Sequence, residues 1–210
     1  MSYVLSAVLG MAASLISGGR FSNFTNFKFK KGFLIVLGLL VQFVAQLAIG
    51  RLPYHVINNA VWINMVVFCL LFSGFWFNKK YAGIDTIALG TALNALVIMF
   101  NNGRMPVNRE ILSRNGLWQA IEMVEKGLDF KHVFIDESTR LVFLADIIEP
   151  PGIFGFFMRI ISIGDVLITL GIGILVFEMF SGYSILDLIR GKRHRGVKCR
   201  ENKYKEEKFS

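Results

Sequence analysis

Two carboxylates carry most of the chemical information in this chain of 210 residues. Asp165 lies inside Ile160–Phe177, an apolar run long enough to cross a bilayer, and Asp146 stands upstream in Phe143-Leu-Ala-Asp-Ile-Ile-Glu-Pro-Pro151. A carboxylate at membrane depth costs roughly 2.5–3.5 kcal/mol, so it marks a functional site by default. If Asp146 and Asp165 meet, both cannot ionise cheaply; one pKa rises and the pair shares a proton. Such a dyad can activate water and protonate a leaving amine, which makes both residues candidate catalytic groups. The competing reading pairs Asp165 with Arg104 or Arg140, or caps it with amides, and leaves Asp146 at the outer interface.

Other polar residues fall at helical spacing. Ser162, Asp165 and Thr169 share one helix face, as do Thr91, Asn94 and Asn101. Gln42 and Gln46 stand one turn apart, and Asn64 lies alone in another apolar run. Polar groups in hydrocarbon seek each other, so these faces should converge on the interior. Asn94, Ser162 and Thr169 are therefore candidate pocket residues. The turn-rich stretch Asn101-Asn102-Gly103-Arg104-Met105-Pro106-Val107 would frame the mouth, with Arg104 placed to hold an anionic headgroup. His132 and the Asp136-Glu137 pair read as a solvated loop.

The elements that must position these groups follow from composition. Hydrophobic residues make up 54% and charged residues 18%, and mean hydropathy is +0.53. Soluble domains carry about 25% charge, so the apolar mass reads as several spanning segments, not one globular core. Five emerge, at 2–18, 32–50, 57–77, 83–100 and 160–181. The amino terminus lacks a basic n-region and is expected to be a retained first helix. Residues 101–159 form an outer segment, with a helix expected over 108–126. Pro150-Pro151-Gly152 ends that segment, and Ile153–Met158 enters the last span with Arg159 snorkelling to headgroups.

Lysine and arginine set the orientation. Arg20, Lys28, Lys30 and Lys31, then Lys79 and Lys80, then nine basic residues between Arg190 and Lys208 all fall on one side of five alternating crossings. The short opposite loop, 51–56, carries Arg51 alone. The positive-inside rule then puts the amino terminus outside and the basic tail, 190–210, in the cytoplasm. That tail carries much of the net charge of +8 and attracts anionic lipid; no stacking aromatics or recognition motif point to nucleic acid. Cys69 and Cys199 sit in unlike surroundings and read as free thiols, and no Cys/His spacing fits a metal.

Two resemblances attach to these residues. Gly18-Gly-Arg20, Gln42, Asn101–Val107, Thr139–Asp146 and Ser162–Ile168 resemble a family of small bacterial multi-pass membrane proteins described as a domain of unknown function. Its loop reads Asn-Gly-Gly-Arg-Met-Pro-Val, so Asn102 replaces a glycine. More locally, Ile163–Ile174 and Phe143–Ile148 resemble the aspartate-bearing segments of the prolipoprotein signal peptidases. That likeness implies an aspartyl pair, Asp146 first and Asp165 second, with Asn94 near a substrate carbonyl. The chain departs from those enzymes in having Val97 and Ile98 where Asp-Arg is expected, Ser162-Ile-Gly ahead of Asp165, and five expected spans.

The expected fold is thus an all-α membrane protein, a bundle of five transmembrane helices over 1–189 with an extracytoplasmic interfacial segment, in a bacterial cytoplasmic membrane. The leading functional reading is a polar pocket near the outer leaflet that binds a lipid or small ligand. An intramembrane aspartyl peptidase or hydrolase is the alternative, and a proton-coupled carrier is a third; no internal repeat supports the last. No cofactor or metal is expected. The partners are membrane lipids, with a membrane protein or lipidated substrate in addition, and no nucleic acid.

Overall fold

The computed structural model describes residues 2–48, 60–129, 131–149 and 160–189. The expectations for the 51–56 loop, the Pro150–Arg159 entry and the basic tail lie outside the described residues. Each of the five apolar runs folds as a helix: α1 (Ser2–Ile16), α3 (Phe33–Ala48), α4 (Ala60–Trp76), α5 (Ala82–Phe100) and α8 (Ile163–Ser181). Short helices α2 (Phe21–Asn26) and α9 (Ile185–Ile189) lie at one end of this set. Two of the long helices, α5 and α8, each have 19 residues and are long and apolar enough to cross a membrane; α1, α3 and α4 are shorter apolar helices. Large apolar side chains stay exposed along them, among them Val4, Val36, Phe43 and Trp62.

Packing runs α1–α8–α5–α4–α3, a row of neighbours more than a closed ring. The tightest pair is α5 against α8, where glycine lets two backbones approach. A Cβ on Gly90 would fall 2.5 Å from the Gly164 carbonyl oxygen, and one on Gly164 would fall 2.0 Å from Asn94 Oδ1. Overpacking of this kind typically costs about 1–3 kcal/mol, so Gly164→Ala should lower the melting temperature in detergent and push Asn94 off its partners. A melting curve superimposable on wild type would contradict that contact.

Between α5 and α8 the described residues form a small unit of strands and short helices. Strand β1 (Met105–Val107) pairs in parallel with β2 (His132–Phe134), Met105 opposite His132. On its other side β1 bonds to the Asp146 strand: the Asp146 N–H donates to the Pro106 carbonyl at 2.9 Å, and the Asn108 N–H to the Asp146 carbonyl at 3.3 Å. The single helix expected over 108–126 is in fact two, α6 (Arg109–Arg114) and α7 (Trp118–Glu125). Gly116 breaks it, turning at φ +67 in the left-handed region. Ile111, Leu112 and Ile121 from these helices pack with Val107 and Ile160 into a separate apolar core. Asn108 caps α6 by accepting from the Ile111 N–H.

Candidate functional site

The site begins where α8 begins. Ser162 is the N-cap residue and Asp165 the N3 residue of a capping box: Ser162 Oγ accepts from the Asp165 N–H at 3.0 Å, and Asp165 Oδ2 accepts from the Ser162 N–H at 3.2 Å. This corrects the expected depth and, of the partners left open for Asp165, gives the amide cap over an arginine. The helix starts at Ile163, so Asp165 sits in its first turn and not five residues into a span. Its compensation comes from helix-terminal amides, a serine, an asparagine and a tyrosine, and not from Arg104 or Arg140. Negative charge is favoured at a helix N-terminus, which removes much of the cost assigned to it.

Asp165 draws the neighbouring helices together. Its Oδ1 accepts from Asn94 Nδ2 of α5 at 3.0 Å and from the Tyr3 hydroxyl of α1 at 3.3 Å. The Ser162 hydroxyl lies 3.0 Å from Asp165 Oδ2 and 2.9 Å from Asn94 Oδ1, and its single proton serves one of them at a time. Asp146 enters from the opposite side, placed by its bonds to β1. Gln42, Asn64, Asn94, Gly103, Met105, Lys131, His132, Asp146 and Asp165 all border one cavity of about 190 Å³. The two aspartates singled out in the sequence therefore face a common space, together with the amides of α3, α4 and α5.

The proposed mouth divides between two spaces. Gly103 and Met105 face the inner cavity, while Asn101, Asn102 and Arg104 border a separate outer pocket of about 660 Å³ with Ser138 and Thr139. Pro106 is fully buried, and its carbonyl holds the Asp146 strand. Asn101 clamps residue 140: its amide donates to the Arg140 carbonyl and accepts the Arg140 N–H, each at 2.9 Å. Asn102 adopts φ +55. That left-handed conformation suits glycine or asparagine, which accounts for asparagine standing at this position. Thr169 falls outside the cavity, and its carbonyl accepts from Ser6 Oγ on α1.

The largest addition to the site is His132, which the sequence reading left in a solvated loop. Its Nδ1 lies 2.8 Å from Asp129 Oδ2, and its Nε2 lies 3.7 Å from Asp146 Oδ2. The signal was available in Asp129-x-x-His132, since the Asp129 carboxylate also accepts the N–H groups of Lys131 and His132. Burial opposes charge on His132, yet the Asp129 hydrogen bond, its charge and that of Asp146 raise the imidazole above its ordinary value. Asp129 is held below the usual carboxylate range: burial opposes ionisation, and the His132 contacts outweigh it. Burial and then the charge of Asp165 push Asp146 up to about 7, against the weaker pull of His132.

Comparison with known proteins places these residues. A family described as "Family of unknown function (DUF5317)" matches residues 26–177, from α2 through most of α8. The chain belongs to DUF5317. The DUF5317 match takes in Gln42, Asn64, Asn94, Lys131, His132, Asp146 and Asp165, every one of the cavity side chains named above except Tyr3 beside it. An uncharacterized protein of Thermotoga maritima is 27% identical over 166 residues, covering 79% of this chain and 84% of that protein. No solved structure matches the chain.

Proposed function

We propose that this protein crosses the membrane with five helices and binds an amine-bearing ligand, a lipid head group or a small ammonium compound, in the acid-lined cavity at the outer end. The observation that carries the reading is a pair of buried acceptors. Among the described residues, Asp146 Oδ1 and Gln42 Oε1 have no hydrogen-bond partner, and both side chains border the 190 Å³ cavity. Unpaired buried acceptors cost about 1–3 kcal/mol each, so a ligand that donates to these two is favoured. An ammonium group brings three donors and a charge that complements the Asp146 carboxylate. The volume holds about six waters at about 30 Å³ each, enough for a head group and too little for a lipid tail.

Exposed apolar side chains along α1, α3 and α4 support membrane immersion, because soluble surfaces rarely present them in continuous bands. At the end remote from the cavity, Lys31, Lys79 and Lys80 lie over the rings of Phe77, Trp76 and Tyr81 at 4.0, 4.0 and 4.4 Å. Lysines and aromatic rings of this kind favour an interface, and the positive-inside rule makes it the cytoplasmic one. A hydrolase would need both carboxylates open to water and substrate. Asp165 is instead engaged on both oxygens, so binding is the reading we favour.

Calorimetric titration of the full chain in detergent with ethylammonium, and in nanodiscs with phosphatidylethanolamine against phosphatidylglycerol, tests this. Ethylammonium should bind, and Asp146→Asn should weaken it at least about tenfold, the loss expected for one charge-assisted bond. Preference for phosphatidylethanolamine without ethylammonium binding identifies a lipid head group; the reverse identifies a free amine. No binding in either arm refutes the reading.

A further inference from the structure

Asp129, His132 and Asp146 form a chain of titratable groups that amine binding by itself does not require. Asp146 and His132 border both the inner cavity and a second groove of about 610 Å³, Asp165 borders only the first, and Asp129 only the second. The imidazole therefore stands between two largely buried carboxyl groups, Asp146 on the cavity side and Asp129 on the groove side. Asp146 is only 10% exposed at its side chain, whereas His132 retains 35%. His132 is also fixed in orientation. Asp129 Oδ2 accepts the Nδ1 proton, leaving Nε2 as the free lone pair directed at Asp146.

We propose that His132 is the proton-transfer residue of the ligand cavity, moving a proton between Asp146 and the outer groove under the control of Asp129. The proton leaves Asp146 Oδ2 and binds His132 Nε2, through one bridging water or a small closing movement across the 3.7 Å gap, giving a carboxylate and an imidazolium. Release of the Nδ1 proton through Asp129 to groove water then restores neutral imidazole, which returns to the starting tautomer by taking up and losing water-borne protons. The balance is one proton delivered outward and one negative charge left on Asp146. This deepens the ligand reading and rests on it for its purpose: an ammonium group entering the cavity would meet an ionised carboxylate. The other charged or titratable groups around the relay are Lys131 beside it on the cavity wall, Asp165, and Tyr3 behind Asp165. The charge of Lys131 opposes the imidazolium, but Asp129 and Asp146 outweigh it, so the imidazolium is an accessible intermediate of the transfer.

The test needs no ligand. In the full chain reconstituted in nanodiscs, the protonated carboxyl stretch of Asp146 is assigned by its absence in Asp146→Asn and followed by infrared spectroscopy after a pH jump across neutrality. The wild type should lose that band quickly. His132→Gln should slow the loss at least about a hundredfold, the lower end for a positioned acid–base group, and added imidazole should restore the rate. Asp129→Asn should slow it less, because the ring remains. Equal rates in wild type and His132→Gln, or no such band at acid pH, overturn the relay. Absence of ethylammonium binding with a slowed His132→Gln band would refute the ligand reading and leave the relay standing.

Discussion

Glu178→Ala should be the most destabilising single substitution in the helical part of the protein, with a loss of roughly 3–5 kcal/mol. Glu178 is 1% exposed and lies in the last turn of α8. Its carboxylate accepts the N–H groups of Ala82 at 3.0 Å and Gly83 at 3.1 Å, the first two residues of α5, and that of Ile185 at 2.9 Å, the first of α9. The Ser184 hydroxyl lies 3.2 Å from the same carboxylate, but its single proton has a closer acceptor in the Lys80 carbonyl at 2.6 Å. Helix N-termini leave N–H groups without intrahelical partners and carry partial positive charge, so one carboxylate satisfies two helices at once. Alanine would strand three backbone donors. Glu178→Gln retains an acceptor but loses the charge, and should cost about half as much. Thermal melting of the three proteins in one detergent gives the order; Glu178→Ala within a degree or so of wild type would disprove the dual cap, given the usual few degrees per kcal/mol.

Glu178 escaped the sequence reading for a physical reason. It closes an apolar run and looks like any acid at the end of a span, and two of its three backbone donors lie 95 and 96 positions upstream. The same reason separates what could be read from what could not. Apolar runs of helical length identify the five long helices, because a segment without charge leaves few other ways to satisfy its backbone. The amide and acid faces of α3, α4, α5 and α8 are legible too, since period sets which side chains share a side. Whether a face meets its partner depends on close backbone approach, as at Gly90 and Gly164, and that contact joins helices distant in sequence.

The outer segment was less legible. Strands of three residues give no periodic signal, and parallel pairing of Met105 with His132 spans 27 positions. His132 reaches the cavity only through that pairing, so a loop assignment followed naturally. Asp165 was misplaced in depth because hydropathy continues through Ile160–Ile163, whereas the helix starts only where Ser162 can cap it. Tyr3 was invisible for a further reason: its hydroxyl finds Asp165 at a separation of 162 residues.

Stability should fall as pH rises from about 4 to about 7, and Asp146→Asn should remove most of that slope. Asp146 titrates near 7 in the folded protein against an ordinary value of 3.8, with burial as the main cause and the charge of Asp165 second. Below the ordinary value both folded and unfolded chains hold the proton, and the group contributes no penalty. Between the two values the unfolded chain releases its proton and the folded chain keeps it, so unfolding is favoured progressively as pH rises. Above about 7 both are ionised and the penalty is constant, roughly 4 kcal/mol for a difference of about three pKa units. His132 acts in the same direction: its raised value gives stability present below about 6.5 and lost as pH passes its folded value. Asparagine removes the buried charge, so the variant should be more stable than wild type at pH 7.5 and equal to it near pH 4. Melting curves across that range decide the matter. A wild-type profile that is flat or rises with pH would place Asp146 in contact with bulk water, and with it the cavity on which ligand binding and proton transfer both depend.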